Sequence, residues 1–307
     1  MFDTATPSPT SSDGDPHDDL PAPASPEGGD REDERINWWA ELRGLALMLL
    51  AVLAFHTFVA KPFYIPSESM MPALLKGDRL VVSKYPYGWN WSSISFHALG
   101  RGDWRLAPAT PEYGDIVILQ PPGGGTDYIK RVVALPGDRI AVVNGQIVLN
   151  GHPVPQEADV PVQIPVDANA PCDYFGMRVL LDSGRRVCEM PTYRETLPNG
   201  ATYRIIDHTT QMLDNYAEVE VPAGHVFLMG DNRDESADSR ADAEFARGLG
   251  GPVPLKDVGG RAEFITFSLD GTFGWNPMTW WPALREGRWW TSLRPAIKPV
   301  PRQGEQV

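Results

Sequence analysis

Two serines in a proline-bounded stretch, residues 65–72 (IPSESMMP), could carry out nucleophilic chemistry. Pro66 and Pro72 push the residues before them toward extended geometry, which predicts a strand-like stretch. In an extended chain, residues two apart share a face, so the hydroxyls of Ser67 and Ser69 should lie on one side. One hydroxyl could attack a carbonyl carbon while the other donates to the developing oxyanion. Serines near prolines are also common in ordinary loops.

A lysine in the apolar run 128–135 (YIKRVVAL) could supply the base. Strand alternation places Lys130 on the same face as Tyr128 and Val132. A lysine that projects against an apolar wall is desolvated, which lowers its pKa by up to several units and favours the neutral amine. The alternative is an edge lysine that protects the sheet against aggregation.

A dense polar run, residues 229–240 (MGDNRDESADSR), is the third candidate. Its alternative is a solvated turn. An EF-hand calcium loop is excluded, because Arg233 falls where a ligand is required and no glycine stands at the sixth position. None of the three segments decides the function by itself.

Short β-branched runs bounded by Gly, Asp or Pro predict the strands that must position these side chains. The runs are residues 79–85, 114–119, 128–135, 139–143, 146–149 and 225–230. Asn144 and Gly145, between two of the runs, predict a two-residue hairpin turn of type I′. No long segment after Lys61 has a 3.6-residue period, so the predicted class is mainly β.

An apolar run, residues 44–60, precedes the strands and is bounded by Arg43 and Lys61. Seventeen residues of helix span about 25 Å, short for a bilayer core, but the flanking cations can reach the interface. Trp38 and Trp39 stand where an interfacial aromatic belt would lie. The run therefore predicts a membrane-spanning helix.

A buried helix and a cleavable export signal are the alternatives to a permanent span. A cleavable signal is disfavoured because the run begins late, and because Phe58 occupies the position that needs a small residue if the cut followed Ala60. We therefore predict one permanent span. Its orientation is not decided by charge, since both flanks carry Lys or Arg.

The negative charge of the chain is concentrated in its first residues. The net charge is −13, and residues 1–35 hold ten Asp or Glu and two Arg, so this tail carries −8. Rich in Pro, Ser and Asp, the tail cannot bury enough apolar surface to offset its ordering entropy, which predicts disorder. The chain has no basic footprint, so we expect no nucleic-acid partner.

The only two cysteines, Cys172 and Cys188, lie in the polar, Pro-rich stretch between residues 150 and 221. A disulfide between them is expected if this part lies outside the cytoplasm. Reduced thiols and a metal site are the alternatives, and the metal site would need more ligands than the six scattered histidines offer. The predicted segments are a tail (1–35), an anchor (36–61), a catalytic β domain (62–149), an inserted cap (150–221) and the second part of the catalytic domain (222–307).

Four segments carry more information together than separately. They are IPSESMMPALLKGD (65–78), GDIVIL (114–119), YIKRVVALPGD (128–138) and GDNRDESADSR (230–240), with a weaker fifth in VGGRAEFITFSL (258–269). In order and spacing they resemble the conserved boxes of bacterial type I signal peptidase (leader peptidase). Chance agreement of four such motifs after a membrane span is very improbable.

The resemblance implies roles for individual residues. Ser69 would be the nucleophile and Lys130 the general base. Ser67 would donate its hydroxyl to the oxyanion beside the backbone N–H of Ser69. Ser236 would orient the lysine. The bracing residues of the last motif would be Asp238 and Arg240.

The resemblance also implies a largely antiparallel β fold with an inserted smaller domain, whose catalytic part lies outside the cytoplasmic membrane, on the periplasmic side. The substrates would be preprotein signal peptides with small residues at the first and third positions before the cut, reached beside membrane lipid. No metal or other cofactor is expected. The residues implied to line the two small pockets are Phe63, Ile65, Met70, Leu74, Tyr128 and Ile129.

Two features depart from the family pattern. Residues 241–252 do not look like the short aromatic stretch expected after the last motif, and Glu68 stands between the two serines where the family varies. These departures concern the surroundings of the site.

Two other functions fit parts of the sequence. A self-cleaving regulator of the repressor kind also uses Ser and Lys, but an N-terminal DNA-binding domain would be needed, and this chain has an acidic tail and an apolar run. A non-catalytic, membrane-tethered β domain that binds a partner would be favoured by loss of Ser69 or Lys130, and both are present.

Overall fold

The computed structural model describes residues 37–94, 100–172, 176–244 and 247–299. The predicted acidic tail, residues 1–35, lies outside the described residues. One α-helix, α1 (Trp38–Phe58), precedes a series of short strands. Short 3₁₀ helices in the described part are Tyr85–Tyr87, Trp91–Ser93, Met212–Asp214, Leu255–Asp257 and Pro277–Thr279.

The strands follow one another along the chain with few helical interruptions. They are β1 (Ala60–Tyr64), β2 (Asp78–Ser83), β3 (Trp89–Asn90), β4 (Arg105–Leu106), β5 (Ile116–Leu119), β6 (Tyr128–Ala134), β7 (Arg139–Val143), β8 (Gln146–Leu149), β9 (His152–Pro153), β10 (Gln156–Pro165), β11 (Met177–Leu180), β12 (Arg186–Thr196), β13 (Ala201–Ile205), β14 (Tyr216–Glu220), β15 (His225–Met229), β16 (Val253–Pro254), β17 (Val258–Ser268), β18 (Thr291–Ser292) and β19 (Ala296–Ile297).

The largest sheet has the order β1-β2-β17-β5-β6-β15-β16, with β18 paired to β17. A second sheet runs β10-β12-β13-β19, with β11 on β12, and a third runs β14-β7-β8-β9. The neighbouring strands in these sheets are antiparallel. The prediction of a mainly β, antiparallel fold behind one N-terminal helix is confirmed.

The hairpin between β7 and β8 follows the predicted turn chemistry. Asn144 and Gly145 have φ angles of 49° and 82°, which a type I′ turn requires at both central positions. Val143 and Gln146 close the pair on either side.

The helix lies within the predicted anchor (36–61) and starts before the apolar run at residues 44–60. The Asn37 side chain accepts a hydrogen bond from the N–H of Ala40 at 3.2 Å, which caps the first turn, so α1 begins before the apolar residues do. Its 21 residues span about 31 Å, close to the thickness of a bilayer core. Among the described residues it is the one helix long and apolar enough to cross a membrane, and its side chains are almost all exposed.

The predicted cap, residues 150–221, shares sheets with the residues around it. Strand β14 pairs with β7 and β13 pairs with β19, so both outer segments add strands to it. One buried cluster joins residues of both predicted domains, including Val133, Phe227 and Tyr203. Strand β6 is central in the largest sheet, between β5 and β15, and therefore holds its side chains rigidly.

Candidate active site

The two serines lie just after β1, where the chain turns. Ser67 Oγ and Ser69 Oγ are 3.4 Å apart, so the hydroxyls share one side as expected. The backbone differs from the predicted extended stretch, because Ser69 lies in a turn closed by a hydrogen bond from Met71 N–H to Glu68 O at 3.0 Å. Proline fixes its own φ and restricts the residue before it, which leaves Ser67, Glu68 and Ser69, between the two prolines, free to turn.

Lys130 is on β6 and points at Ser69. Its Nζ donates to Ser69 Oγ at 2.8 Å and to the carbonyl of Ile129 at 3.0 Å. The lysine is 4% exposed and the serine 7%, so water has little access to the pair. Nζ lies 5.5 Å from the centroid of the Tyr128 ring, on the face that strand alternation predicts.

The environment of Lys130 favours its neutral form. Burial lowers the pKa of its amine to about 8, although the carboxylates of Asp238 and Asp231 act in the opposite direction. The positive charge of Arg240 adds to the lowering. A neutral amine within hydrogen-bond distance of a hydroxyl can take its proton.

The loop after β15 packs behind the serine and the lysine. The N–H of Asn232 donates to the carbonyl oxygen of Ser69 at 3.1 Å. Ser236 is 5% exposed, and among the described residues its Oγ has no hydrogen-bond partner; the expected contact with Lys130 is not formed in this structure. The loop holds the nucleophile through its backbone.

An ion pair inside this loop holds its shape. The guanidinium of Arg240 bonds both oxygens of Asp238 at 3.0 Å and also reaches the carbonyl of Arg233 at 3.0 Å. Burial alone would raise the pKa of Asp238, but Arg240 and the N–H of Gly230 hold it below its ordinary value. Asp238 and Arg240 therefore pair with each other within the loop, and the bracing role that the resemblance implied for them stays a prediction.

Two further buried ion pairs support the site, and sequence reasoning did not identify them. Arg131, the neighbour of the candidate base, bonds both oxygens of Asp231 at 2.6 and 2.7 Å. Arg233 pairs with Glu195 of β12. The sequence shows only that these charged residues lie in an apolar strand or in a dense polar run. It does not show which residues pair, because the partners are far apart in the chain.

Gly230 is a tightly packed residue beside Ser69 and Ser236 that sequence reasoning did not single out. A Cβ added there would lie 2.2 Å from Ser236 Oγ and 2.4 Å from the carbonyl oxygen of Ser69. Real Cβ atoms do not come this close to their neighbours, so only glycine fits between the loop and the nucleophile. A glycine at the end of a strand was the available signal.

A pocket of about 380 Å³ opens beside Ser69 and Lys130. Of the six residues expected to line it, four do: Phe63, Ile65, Tyr128 and Ile129. The other two, Met70 and Leu74, are fully buried in a core cluster with Ile65 and do not line it. Turn formation after Ser69 directs these two side chains inward.

The segment that departed from the family pattern contacts Tyr128, which lines the pocket. The carbonyl oxygen of Arg247 accepts a hydrogen bond from the Tyr128 hydroxyl at 2.9 Å.

The two cysteines, Cys172 and Cys188, are joined by a disulfide. Among the described residues, no group of three or more His, Cys, Asp or Glu is arranged to hold a metal ion.

Comparison with known proteins identifies the family of this chain. A family model described as signal peptidase, peptidase S26, matches residues 37–267. The signal peptidase I of Rickettsia bellii (strain OSU 85-389) is 32% identical over 253 residues, covering 78% of this chain and 75% of that protein. The signal peptidase I of Rickettsia typhi is 31% identical over 254 residues, covering 78% and 82%.

A solved structure of a signal peptidase I from Enterococcus faecalis V583 also matches, with 20% sequence identity. The match covers 50% of this chain and 97% of that chain, with a TM-score of 0.26.

Proposed function

Because the chain belongs to the S26 family of signal peptidases, we propose that it is a membrane-anchored serine endopeptidase with Ser69 as nucleophile and Lys130 as general base. The family match confirms the resemblance predicted from the four motifs, and the chain is a peptidase of the class that removes signal peptides. The hydrogen bond of 2.8 Å between Lys130 Nζ and Ser69 Oγ is the observation that supports the catalytic assignment.

In the proposed reaction, neutral Lys130 takes the proton of Ser69 as Oγ attacks the carbonyl carbon before the cut. With a pKa of about 8, roughly one lysine in ten is neutral at pH 7, against fewer than one in a thousand for an ordinary lysine. The lysine then returns the proton to the departing amine. An acyl-enzyme on Ser69 is left, which water hydrolyses.

The oxyanion formed in this step needs donors. The Ser67 hydroxyl, 3.4 Å from Ser69 Oγ, is placed to donate, beside the backbone N–H of Ser69. In the proposed mechanism Ser236 keeps the role that the resemblance implied, orienting the amine once substrate is bound.

The anchor would be α1, in a single pass through the inner (cytoplasmic) membrane, with the catalytic part on the periplasmic side. The last turn of α1 is tied to the β structure, since the Phe58 carbonyl accepts from Trp89 Nε1 at 2.9 Å. Ser69 follows Phe58 by eleven residues, so it lies within about 40 Å of the end of the helix. Signal peptides present their cleavage sites near the same surface, and lipid therefore holds enzyme and substrate together.

The substrates would be preproteins with small residues at the first and third positions before the cut. The pocket beside Ser69 is lined by large side chains, including Phe63, Ile65 and Tyr128. The resemblance to signal peptidases supports small sites for these two positions within the pocket. A bulky side chain would clash.

The test is to incubate the full-length protein in detergent with a preprotein that has alanine at both positions, and to locate the cut by mass. We expect one cut after the second alanine, none with Ser69→Ala, and a normal cut with Ser183→Ala, which changes an exposed turn serine. Phenylalanine directly before the cut should stop cleavage. Turnover by a folded Ser69→Ala protein near the wild-type rate would exclude this mechanism.

A further inference from the structure

A second pocket, of about 350 Å³, adjoins the nucleophile, and the mechanism above does not use it. Glu68 and Met71, on either side of Ser69 in the chain, line it, and Glu235 lines both pockets. Its apolar lining comes from other segments: Ile164, Met190, Ile206 and the disulfide between Cys172 and Cys188. The two pockets share Glu235, and residues on either side of Ser69 in the chain line the second one.

Asn232 gives this pocket an unused hydrogen-bond acceptor. The residue is 4% exposed and lines the pocket, and among the described residues its Oδ1 has no hydrogen-bond partner. Its own N–H donates to the carbonyl of Ser69, so the acceptor is fixed relative to the nucleophile. A buried amide oxygen without a donor costs roughly 1–3 kcal/mol in general, and a bound N–H would remove that cost.

The rim of the pocket is acidic. Glu68, Asp234 and Glu235 all line it. The carboxylate of Asp234 accepts hydrogen bonds from the N–H of His208 and from the hydroxyl of Thr209, each at 2.8 Å. Burial lowers the pKa of His208 while Asp234 opposes that shift, so the histidine adds little positive charge at neutral pH. The rim therefore carries a net negative charge.

We propose that this pocket binds the first residues of the mature chain, those after the cut, and that Asn232 Oδ1 accepts a hydrogen bond from one of their main-chain N–H groups. The acidic rim then favours a basic over an acidic side chain in that segment. The first pocket lies toward the end of α1, through Phe63 and Tyr64 of β1, and would receive the signal peptide. A chain passing Ser69 continues into the second pocket. This inference rests on the proposed function.

The charge preference is tested with three preproteins that share one signal peptide and differ only at the second residue after the cut: Lys, Gln or Glu. We expect kcat/KM to fall in that order in the wild-type protein, with about two- to fivefold between Lys and Glu, the size typical of exposed charge pairs. Glu235→Arg should reduce the Lys-to-Glu difference to less than twofold, because the rim then carries one net negative charge instead of three, and the exposed position of Glu235 leaves the core intact. Glu220→Arg makes the same charge change on β14, away from both pockets, and should keep the wild-type order and ratio.

The outcomes separate this inference from the proposed function. If the wild-type protein cuts none of the three preproteins, the proposed function fails. If it cuts all three equally, or if Glu235→Arg leaves the Lys-to-Glu ratio unchanged, the pocket does not bind the mature segment. If Glu220→Arg reduces the ratio as much as Glu235→Arg does, long-range charge explains the preference and the pocket assignment fails.

The role of Asn232 is tested by substrates in which an ester replaces one amide, which removes a single N–H. Peptides with the ester at the second or third residue after the cut are compared with the all-amide peptide. At one of these positions we expect kcat/KM to fall about two- to tenfold in the wild-type protein, the size of one hydrogen bond, and to be unchanged in Asn232→Ala.

Equal losses in the two proteins, or no loss at either position, would overturn the assignment of Asn232. Circular dichroism shows whether Asn232→Ala is folded, and if it is not, Asn232→Ser replaces it in the same comparison.

Discussion

Two lysines in this protein are almost equally buried and have similarly lowered pKa values. Lys130 is 4% exposed and Lys84, directly after β2, is 2% exposed. Burial is the main cause that lowers the pKa of each amine to about 8. Burial and pKa therefore do not tell the two lysines apart.

The neighbours of the two amines do. Lys130 Nζ lies 2.8 Å from a serine hydroxyl, whereas Lys84 Nζ lies 5.6 Å from the centroid of the Phe63 ring. Lys61 is 5.0 Å from the same ring and contributes to the lowered pKa of Lys84, which Asp127 opposes. A lowered pKa leaves a larger fraction of an amine unprotonated. The proposed role as general base also requires a hydroxyl within hydrogen-bond distance of that amine.

The largest difference should appear when each lysine is replaced. Lys130→Met should lower kcat/KM by about 10⁴-fold or more, because the serine loses its base. Lys130→Arg should be as inactive, since a guanidinium is not deprotonated in this range. Lys84→Met should stay within about threefold of wild type. Cleavage of one preprotein by the purified proteins measures all three, and a Lys84→Met protein as inactive as Lys130→Met would erase the distinction.

The serines near the two lysines should differ in the same way. Ser67→Ala removes the proposed oxyanion donor and should lower kcat about 10²- to 10³-fold with little change in KM. Ser83→Ala, beside Lys84, removes a hydroxyl that bonds Glu263 and should affect stability alone. Kinetics normalised to the folded fraction test this pair. Equal losses of kcat would contradict the role given to Ser67.

Crowding the Lys130 region without changing its charges should also reduce activity. Gly230→Ala brings a methyl group into Ser236 Oγ and Ser69 O, and a displacement of about 1 Å at a nucleophile costs roughly 10²-fold. The matched control is Gly123→Ala, where a Cβ meets nothing within 4 Å. Full activity of Gly230→Ala would show that the loop can yield.

The rate should report the titration of one lysine. Because the base acts when neutral, kcat/KM should rise about tenfold per pH unit below the pKa of about 8 and level off above it. Lys84→Met should leave this limb in place. The measurement is the pH profile of kcat/KM for the wild-type protein and for Lys84→Met. A rising limb that shifts in Lys84→Met would contradict the assignment of this titration to Lys130.

Replacing Lys84 should raise the thermal stability of the protein, whereas replacing Lys130 should remove activity. Its pKa is lower in the folded protein than the ordinary 10.5, so burial costs about 3 kcal/mol below pH 8, and that cost disappears as pH rises toward 10.5. Lys84→Met should therefore raise the Tm by several degrees at pH 7 and by little at pH 10.5. Thermal unfolding in detergent at both pH values measures this, and a variant less stable at pH 7 would contradict it.

Local patterns predicted much of this fold. The strands around the site, the type I′ turn at Asn144 and Gly145, and the apolar helix all depend on neighbouring residues, so the sequence expresses them directly. The helix starts at Trp38, inside the predicted anchor (36–61) and before the apolar run at residues 44–60, because its first turn depends on the cap at Asn37 and not on apolar content. The predicted strand at Ser69 was wrong because a turn closed by Glu68 and Met71 has no strong local signal.

The chemical groups of the candidate site could be predicted from the amino-acid sequence alone. They are two serines two residues apart and a lysine in an apolar strand, within motifs whose order indicates the family. Tertiary structure decided which lysine meets the serine, that Met70 and Leu74 face the core, that Gly230 has no room for a side chain, and that Asn232 faces a second pocket. These contacts could not be predicted locally because Ser69, Lys130 and Asn232 are far apart in the chain. They form only when antiparallel pairing sets the register of β6 between β5 and β15.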